Sequence, residues 1–207
     1  MGKAVITNER FYSGLTLAEF VVGMKENRDK FEENLRNVEL RGEDEARLAE
    51  ANEPLRVVVI AEDWCGDVLR YLPVLVKMAE KAGRWEARVF YRDANPDLME
   101  RWLKDGTHRA IPVLAFFDED WNEIGYYQEK PALVYSEEAA AMAEFARLHP
   151  DLPDAGLPYN EMSQETKDLY APFMREFRSK KMKAWQDLFM DEVVGLLLRV
   201  KPTRKVA

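Results

Sequence analysis

The chain has 207 residues, 47% of them hydrophobic and 33% charged, which is typical of a globular protein with one domain plus an extension or two small domains. Its formal net charge is −8, so phosphate backbones and anionic lipid repel it, and we expect neither nucleic acid nor membranes as partners. A single cysteine excludes an intramolecular disulfide, and with only two histidines no metal site is expected. The first residues lack the apolar segment of a signal peptide, which favours a cytoplasmic protein.

Two helices are predicted before the first strand. Between Thr16 and Val38 apolar residues recur every three or four positions, which predicts an amphipathic helix with a break near Asn27. Its start is marked by Thr16 and Glu19, which have the spacing of a capping box. A charged segment from Glu43 to Ala51 is predicted to form the second helix, which ends before a proline.

The middle of the chain alternates strands and helices. The β-branched run from Leu55 to Glu62 predicts a central strand covered on both faces, and the helix after it stops at Gly83. A second strand is predicted from Trp85 to Asp93 and a short helix from Pro96 to Gly106. This order favours a parallel strand pair joined by a right-handed crossover.

The predicted sheet ends in an antiparallel hairpin. Its two strands, PVLAFFD and NEIGYYQ, flank the acidic turn at Glu119, Asp120 and Trp121. A helix capped by Ser136 is expected to close this part of the chain near Leu148.

Residues 149–162 contain three prolines and a glycine, which indicates a boundary. We therefore predict a domain at residues 1–148, including the N-terminal helices, and a linker with a helical C-terminal extension at residues 149–207. The segment from Ser163 to Val200 is one long amphipathic helix with a candidate kink at Pro172. Its large apolar residues on one side are Tyr170, Phe173, Phe177, Trp185, Leu188, Phe189, Val193 and Leu197. We expect them to pack on the chain's own domain, the alternative being a dimer interface, and a monomer is favoured.

Cys65 is the candidate reactive residue. It lies at the end of the first predicted strand and the start of a helix, where free backbone N–H groups and the helix dipole favour a thiolate. Its neighbours Trp64 and Gly66 fit a thiol presented at the mouth of a site better than a buried structural cysteine.

Three segments in this order resemble the thioredoxin superfamily over about residues 55–148. They are Trp64-Cys65-Gly66 after an apolar strand, Pro73 in the following helix, and Ile111-Pro112-Val113 before a later strand. The resemblance implies an α/β thioredoxin-like fold, in which a central mixed sheet is flanked by helices. It also implies that Pro112 follows a cis peptide bond and faces the thiol.

The sequence departs from the family pattern at three positions. Val68 stands in place of the second cysteine, so no internal thiol can release a mixed disulfide. Asp67 replaces the usual proline, and its carboxylate opposes thiolate formation. Val59 replaces the acid that the family often buries in the strand. Glu62 and Asp63 are candidates to replace that proton acceptor, although the simpler interpretation makes them solvated turn residues.

Substrate contacts are expected on both sides of the thiol. Trp64, Gly66 and Asp67 shape the cysteine turn, while the backbone around Ile111 and Pro112 binds an extended peptide or a thiol such as glutathione.

His108 and Arg109 lie on the loop before Ile111 and are candidates for tuning the thiolate by their positive charge. The simpler alternative leaves both exposed to solvent without a role.

These features favour thiol–disulfide exchange through Cys65, by a mixed disulfide with a protein or a low-molecular-weight thiol and without a cofactor. One alternative is a thioredoxin-fold binding module that has lost catalysis and recognises proteins. Another is a peroxide sensor in which Cys65 forms a sulfenic acid. Rapid alkylation of Cys65 at neutral pH would favour the redox interpretations over the binding module.

Overall fold

The computed structural model of the protein describes residues 6–50 and 53–199. The predicted helix end at Ala51 and the last residue of the predicted C-terminal helix, Val200, lie outside these residues. The described chain divides into two compact units. The larger contains the described residues up to Glu129 and those from Phe189 onward, and the smaller contains Lys130–Leu188. This division differs from the predicted boundary at residues 148 and 149.

The larger unit begins with four helices and continues with alternating strands and helices. In chain order its elements are α1 (Asn8–Tyr12), α2 (Leu17–Gly23), α3 (Arg28–Asn37), α4 (Gly42–Glu50), β1 (Leu55–Ala61), α5 (Gly66–Ala82), β2 (Trp85–Tyr91), α6 (Pro96–Met99), β3 (Val113–Phe117) and β4 (Glu123–Gln128). The smaller unit contains α7 (Ala132–Leu148) and most of α8 (Gln164–Arg199), whose last turns belong to the larger unit.

The four strands form one mixed sheet in the order β2-β1-β3-β4. β1 pairs in parallel with β2 and antiparallel with β3, and β3 pairs antiparallel with β4, so the predicted parallel pair and hairpin are confirmed. The β-branched residues of β1 are buried throughout, as a strand in the middle of a sheet covered by helices requires.

The N-terminal segment covers the outer edge of the sheet. Leu15 forms a bridge with Val89 of β2, with N–H···O distances of 2.9 and 2.7 Å. The preceding Gly14 lies close under the Phe90 ring: a Cβ there would lie 2.6 Å from it, so a larger residue would force the ring to shift. This bridge occupies hydrogen-bonding groups of a strand edge that would otherwise be exposed.

The predicted N-terminal helix is two helices, and the predicted break near Asn27 is confirmed. α2 starts at a complete capping box between Thr16 and Glu19. α3 starts after Asn27, which adopts a left-handed conformation with φ of 57°. Asparagine tolerates this conformation better than most residues, which explains a turn here without glycine.

α5 contains Pro73, which has no N–H to donate to the carbonyl of Leu69 one turn earlier. The side-chain amide of Asn34 in α3 donates to that carbonyl at 2.7 Å. α5 ends where predicted, at Gly83 with φ of 69°.

Two sequence predictions about helix limits are wrong. The helix predicted from Pro96 to Gly106 is only α6 followed by a single 3-10 turn to Trp102, because the chain then enters a tight loop with positive φ at Asp105 and Gly106. α7 begins after Pro131, and the Ser136 hydroxyl inside it donates to the carbonyl of Leu133 instead of capping the helix.

A network of ion pairs joins α4 to the end of α8 in the larger unit. Asp44 is fully buried, and its two carboxylate oxygens accept hydrogen bonds from Arg41, each at 2.6 Å. Arg41 also donates to Asp191 at 2.9 Å, and Arg47 pairs with the same carboxylate. These contacts raise the pKa of Arg41 above its ordinary value, mainly through Asp44.

The last turns of α8 pack within the larger unit, against the helix and strand of the predicted domain, as expected for the apolar side of this helix. The Phe189 ring lies 5.1 Å from Tyr71 of α5 and 5.0 Å from Tyr127 of β4. Leu196 approaches β4 so closely that a Cβ at Gly125 would lie 2.9 Å from its side chain.

The first part of α8 packs against α7 in the smaller unit. The ring centroid of Phe145 lies 5.1 Å from that of Tyr170 and 5.4 Å from that of Phe173. Pro172 lies within the helix, which continues beyond it. This half of the predicted apolar side therefore contributes to a small core within the smaller unit. No helix among residues 6–50 and 53–199 is long and apolar enough to cross a membrane.

Candidate active site around Cys65

Cys65 is the N-cap of α5 and lies just after β1. Its backbone is extended, with φ of −79° and ψ of 120°, and its N–H donates to the carbonyl of Glu62 at 3.2 Å. Its own carbonyl accepts the first helical hydrogen bond, from Leu69 at 3.1 Å. The side chain is partly buried, while Trp64 before it is 45% exposed. The turn thus brings the thiol to the surface beside an exposed indole.

The thiol faces the segment before β3. Its Sγ lies 3.6 Å from the carbonyl oxygen of Ile111, to which the S–H donates. The Ile111–Pro112 peptide bond is cis, as the family resemblance implies. The carbonyl of Pro112 accepts from Glu129 at 2.7 Å, whereas the N–H of Ile111 has no hydrogen-bond partner among the described residues. Immediately before the cis bond, the Ile111 carbonyl is thus engaged by the thiol while the Ile111 N–H has no acceptor among the described residues.

The pKa of Cys65 is raised, and burial is the largest cause. The carboxylate of Asp67 raises the pKa further. The backbone N–H groups of Val68 and Asp67 and the charge of Arg70 lower it, but they do not outweigh the desolvation. The helix N-terminus acts on the sulfur in the expected direction, yet the protonated thiol remains favoured.

Asp67 and Arg70 form an ion pair on the first turn of α5. Their side chains are only 13% and 12% exposed. The guanidinium lies over Gly66, where an added Cβ would be 3.6 Å from its nearest nitrogen, an ordinary contact. The turn therefore does not require glycine at position 66. The Asp67 carboxylate is held in the ion pair with Arg70.

Arg92, at the end of β2, is a site residue that the sequence analysis missed. Its guanidinium lies 4.8 Å from the centre of the Trp64 ring, and it donates to Asp93 at 2.8 Å and to the carbonyl of Arg109 at 3.5 Å. The Asp93 hydrogen bond is the main reason why the pKa of Arg92 is raised, and Cys65 contributes. The predicted strand order could have indicated Arg92, because β1 and β2 are parallel neighbours and their ends, which carry Cys65 and Arg92, lie at the same edge of the sheet.

His108 and Arg109 are both exposed and line a surface depression together with Lys104, Asp105, Ala110 and Glu129. The His108 ring nitrogen Nδ1 lies 3.0 Å from the Thr107 hydroxyl. Arg70, on the thiol's own helix, lowers the pKa of Cys65, and the thiol also interacts with the charge of Arg92.

Glu62 and Asp63 are buried, at 7% and 8% exposure, so the interpretation of both as solvated turn residues is wrong. The Glu62 carboxylate accepts from the backbone N–H of Asp93 at 2.9 Å. Asp63 accepts from the N–H groups of Lys25 and Glu26 at 2.8 and 3.1 Å. Both acids hold the cysteine turn against neighbouring segments.

Metal binding has no support in the part of the chain that the structure describes, where no cluster of three histidine, cysteine or acidic residues has a suitable arrangement. The site thus consists of a thiol, two backbone segments, an indole and nearby guanidinium groups.

Comparison with known proteins relates the chain to one family. A family model described as thioredoxin matches residues 14–143. No curated protein matches the chain. Two solved structures are similar over 95% of this chain and all of theirs at 16% identity: PA1234 of Pseudomonas aeruginosa, a protein of unknown function, with a TM-score of 0.64, and an HIV epitope scaffold, with a TM-score of 0.62.

A thioredoxin of Fasciola hepatica matches over 44% of this chain and 85% of its own length, at 20% identity and with a TM-score of 0.31. This similarity is too weak to bear on the fold. At these identities the two higher-scoring structures bear on the fold alone. With the family match, they confirm the predicted thioredoxin-like α/β fold, a mixed four-stranded sheet flanked by helices and followed by a C-terminal helix.

Proposed function

The chain belongs to the thioredoxin family, and from this premise we propose that it performs thiol–disulfide exchange through the single thiol of Cys65. Its partner is a disulfide in a protein or in a low-molecular-weight compound. The supporting observation is the 3.6 Å contact between the Cys65 Sγ and the Ile111 carbonyl, which joins the thiol to the backbone before the cis proline.

The exchange step uses the Cys65 thiolate as nucleophile. The thiol first loses its proton to solvent, and the sulfur then attacks one sulfur of the partner disulfide. A Cys65–partner disulfide forms, the partner's own S–S bond breaks, and the other partner sulfur leaves as a thiolate. The Cys65 sulfur is oxidised and the departing sulfur is reduced, so electrons balance without a cofactor.

Formation of the mixed disulfide changes the hydrogen bonding of Ile111. The S–H donor of Cys65 is consumed, so the Ile111 carbonyl loses its donor, and the Ile111 N–H already has no acceptor among the described residues. One acceptor and one donor on the same residue match the backbone of an extended segment. The reaction thus prepares the backbone that holds the bound partner.

Val68 determines how the exchange ends. It is fully buried at the third position after Cys65 and has no sulfur to attack the mixed disulfide. Release must therefore await a second, external thiol.

The raised pKa of Cys65 favours a second candidate, a binding module that recognises proteins without catalysis. A protonated thiol is a poor nucleophile, and burial is what keeps it protonated. In this alternative the Ile111–Pro112 segment and Trp64 contact a partner, and the sulfur never reacts.

Capture of partners from a lysate distinguishes the two candidates. Immobilised wild-type protein and the Cys65→Ser variant are incubated with lysate and washed in denaturant. Exchange predicts partners that survive this wash on wild type, elute with dithiothreitol and are absent from Cys65→Ser. Partners retained equally by both proteins under native washing, with none surviving denaturant, would support the binding module and contradict exchange.

A further inference from the structure

The acids closest to Cys65 in the sequence are engaged inside the protein. Glu62 and Asp63 accept hydrogen bonds from backbone N–H groups, and Asp67 is paired with Arg70. All three side chains are largely buried. The donors of all three carboxylates are therefore supplied from inside the protein, and of the three it is Asp67 whose charge raises the pKa of Cys65.

The guanidinium groups on the neighbouring loops have a different arrangement. Arg92 lies over the exposed Trp64 ring and is held by Asp93. The Arg109 side chain is exposed and forms no hydrogen bond or ion pair with the described residues, although its charge acts on the pKa of Asp93. Arg92 also feels the charge of buried Glu62, so the guanidinium presented to solvent without an ion-pair partner among the described residues is that of Arg109.

The backbone of Arg109 leads into the segment that contacts the reacting sulfur, and its carbonyl accepts from Arg92, whose pKa is raised in part by Cys65. Arg109 is two residues before Ile111, so their Cα atoms are at most about 7.6 Å apart. The Ile111 carbonyl lies 3.6 Å from the Cys65 Sγ. Exposed His108 adds a nitrogen donor beside Arg109 in the same surface depression. Lys104 and Glu129 in that depression are paired with each other at 2.8 Å, and Asp105 is its remaining acid.

We propose that Arg109, together with Arg92 and His108, selects disulfides that carry a carboxylate near the reacting sulfur. This inference rests on the proposed exchange at Cys65 and adds the class of substrate. An acidic peptide segment and a small acidic thiol share this chemistry. In both, the carboxylate meets the exposed guanidinium while the sulfur meets Cys65.

Three small aliphatic disulfides of different charge test the proposal: anionic dithiodipropionate, neutral hydroxyethyl disulfide and cationic cystamine. The rate of adduct formation on the native protein is divided by the rate of the same probe with the protein unfolded in urea, which removes differences in intrinsic reactivity. We expect this ratio to be highest for dithiodipropionate and lowest for cystamine. The difference should shrink in about 0.5 M salt, where charges on the surface are screened.

Arg109→Gln should lower the anionic-to-neutral ratio by about threefold, because it removes the unpaired positive charge. Arg36→Gln is the matched control. It changes the net charge equally at another exposed position of the larger unit and should leave the ratio unchanged. Disulfide-linked peptides with acidic or basic flanks form a second arm. A preference for the acidic peptide extends the selectivity to protein partners, and a preference confined to dithiodipropionate assigns it to small thiols.

Two failures have separate meanings. If no probe modifies the native protein, the proposed exchange itself is contradicted. If all three probes react with equal ratios, or Arg109→Gln and Arg36→Gln behave alike, exchange stands and the selection of anionic substrates is overturned.

Discussion

The side-chain amide of Asn34 donates a 2.7 Å hydrogen bond to the backbone carbonyl of Leu69, the group that Pro73 leaves without its helical donor. The carbonyl that this proline leaves open thus has a donor in another helix. Because Leu69 lies in the first turns of α5, this bond ties α3 to the end of the helix that carries Cys65.

Asn34→Ala should lower the free energy of unfolding by about 1–2 kcal/mol, because it leaves a buried carbonyl unsatisfied. The loss should be smaller in a Pro73→Ala background, where residue 73 regains an N–H for the same carbonyl. Urea unfolding of the two single variants and the double variant measures this coupling. Asn37→Ala, at an exposed position of the same helix, is the control. Equal losses in both backgrounds would show that Asn34 does not act through this carbonyl.

Asp44→Asn should destabilise the larger unit by about 3 kcal/mol, since it leaves the Arg41 guanidinium without its buried carboxylate. Glu43 is another partner of Arg41, but the Glu43 side chain is 69% exposed. Glu43→Gln should therefore change the free energy of unfolding by less than about 0.5 kcal/mol. Thermal unfolding compares the two variants. Similar losses for both would mean that burial does not set the strength of this network.

Val68→Cys should create a dithiol that closes a disulfide with Cys65, because positions 65 and 68 lie one helical turn apart at the start of α5. The variant should reduce protein disulfides such as those of insulin faster than wild type. Leu69→Cys, one residue out of register, is the control. Absence of the bond between residues 65 and 68 from peptide mass spectra after oxidation would mean that the turn does not have the geometry described.

Alkylation of Cys65 should depend on pH in a way that follows its raised pKa. Burial keeps the thiol protonated, so at neutral pH the native protein should react more slowly with iodoacetamide than the unfolded protein does. As pH rises, the rate of the native protein should still increase where that of the unfolded protein has levelled off.

Charge variants test the sign of this effect. Asp67→Asn removes a carboxylate that raises the pKa, so it should speed alkylation at neutral pH by about threefold. Arg70→Met removes a cation that lowers the pKa and should slow the reaction. Changes in the same direction for both variants would show that loss of the ion pair, and not the charge beside the sulfur, controls the reactivity.

Much of the fold was predictable because its signals are local. The β-branched run of β1, the capping box at Thr16 and the glycine stop at Gly83 each depend on residues next to one another in the chain. α6 was predicted too long because the positive φ values at Asp105 and Gly106 arise in the loop that follows it, and the sequence has no proline there to end the helix earlier.

The candidate site was predictable only where it follows the family motif. The place of Cys65 between β1 and α5 and the cis bond before Pro112 are found as expected, while the reactivity of the thiol stays a prediction. The burial of Asp63 was not predictable, because its partners are N–H groups almost forty residues earlier in the chain. Arg92 was missed for a similar reason. It reaches Trp64 only because β1 and β2 are parallel neighbours, so a pattern confined to either strand carries no sign of the contact.

Intact mass of the native protein after incubation with hydroxyethyl disulfide tests the central claim most directly, since the chain has one cysteine and any adduct must lie on it. Protein unfolded in urea provides the positive control. We predict one adduct on the folded protein, which persists when the reagent is removed, because residue 68 is a valine, and which leaves when dithiothreitol is added. A folded protein that gains no adduct at any pH at which the unfolded protein is fully modified would contradict exchange through Cys65.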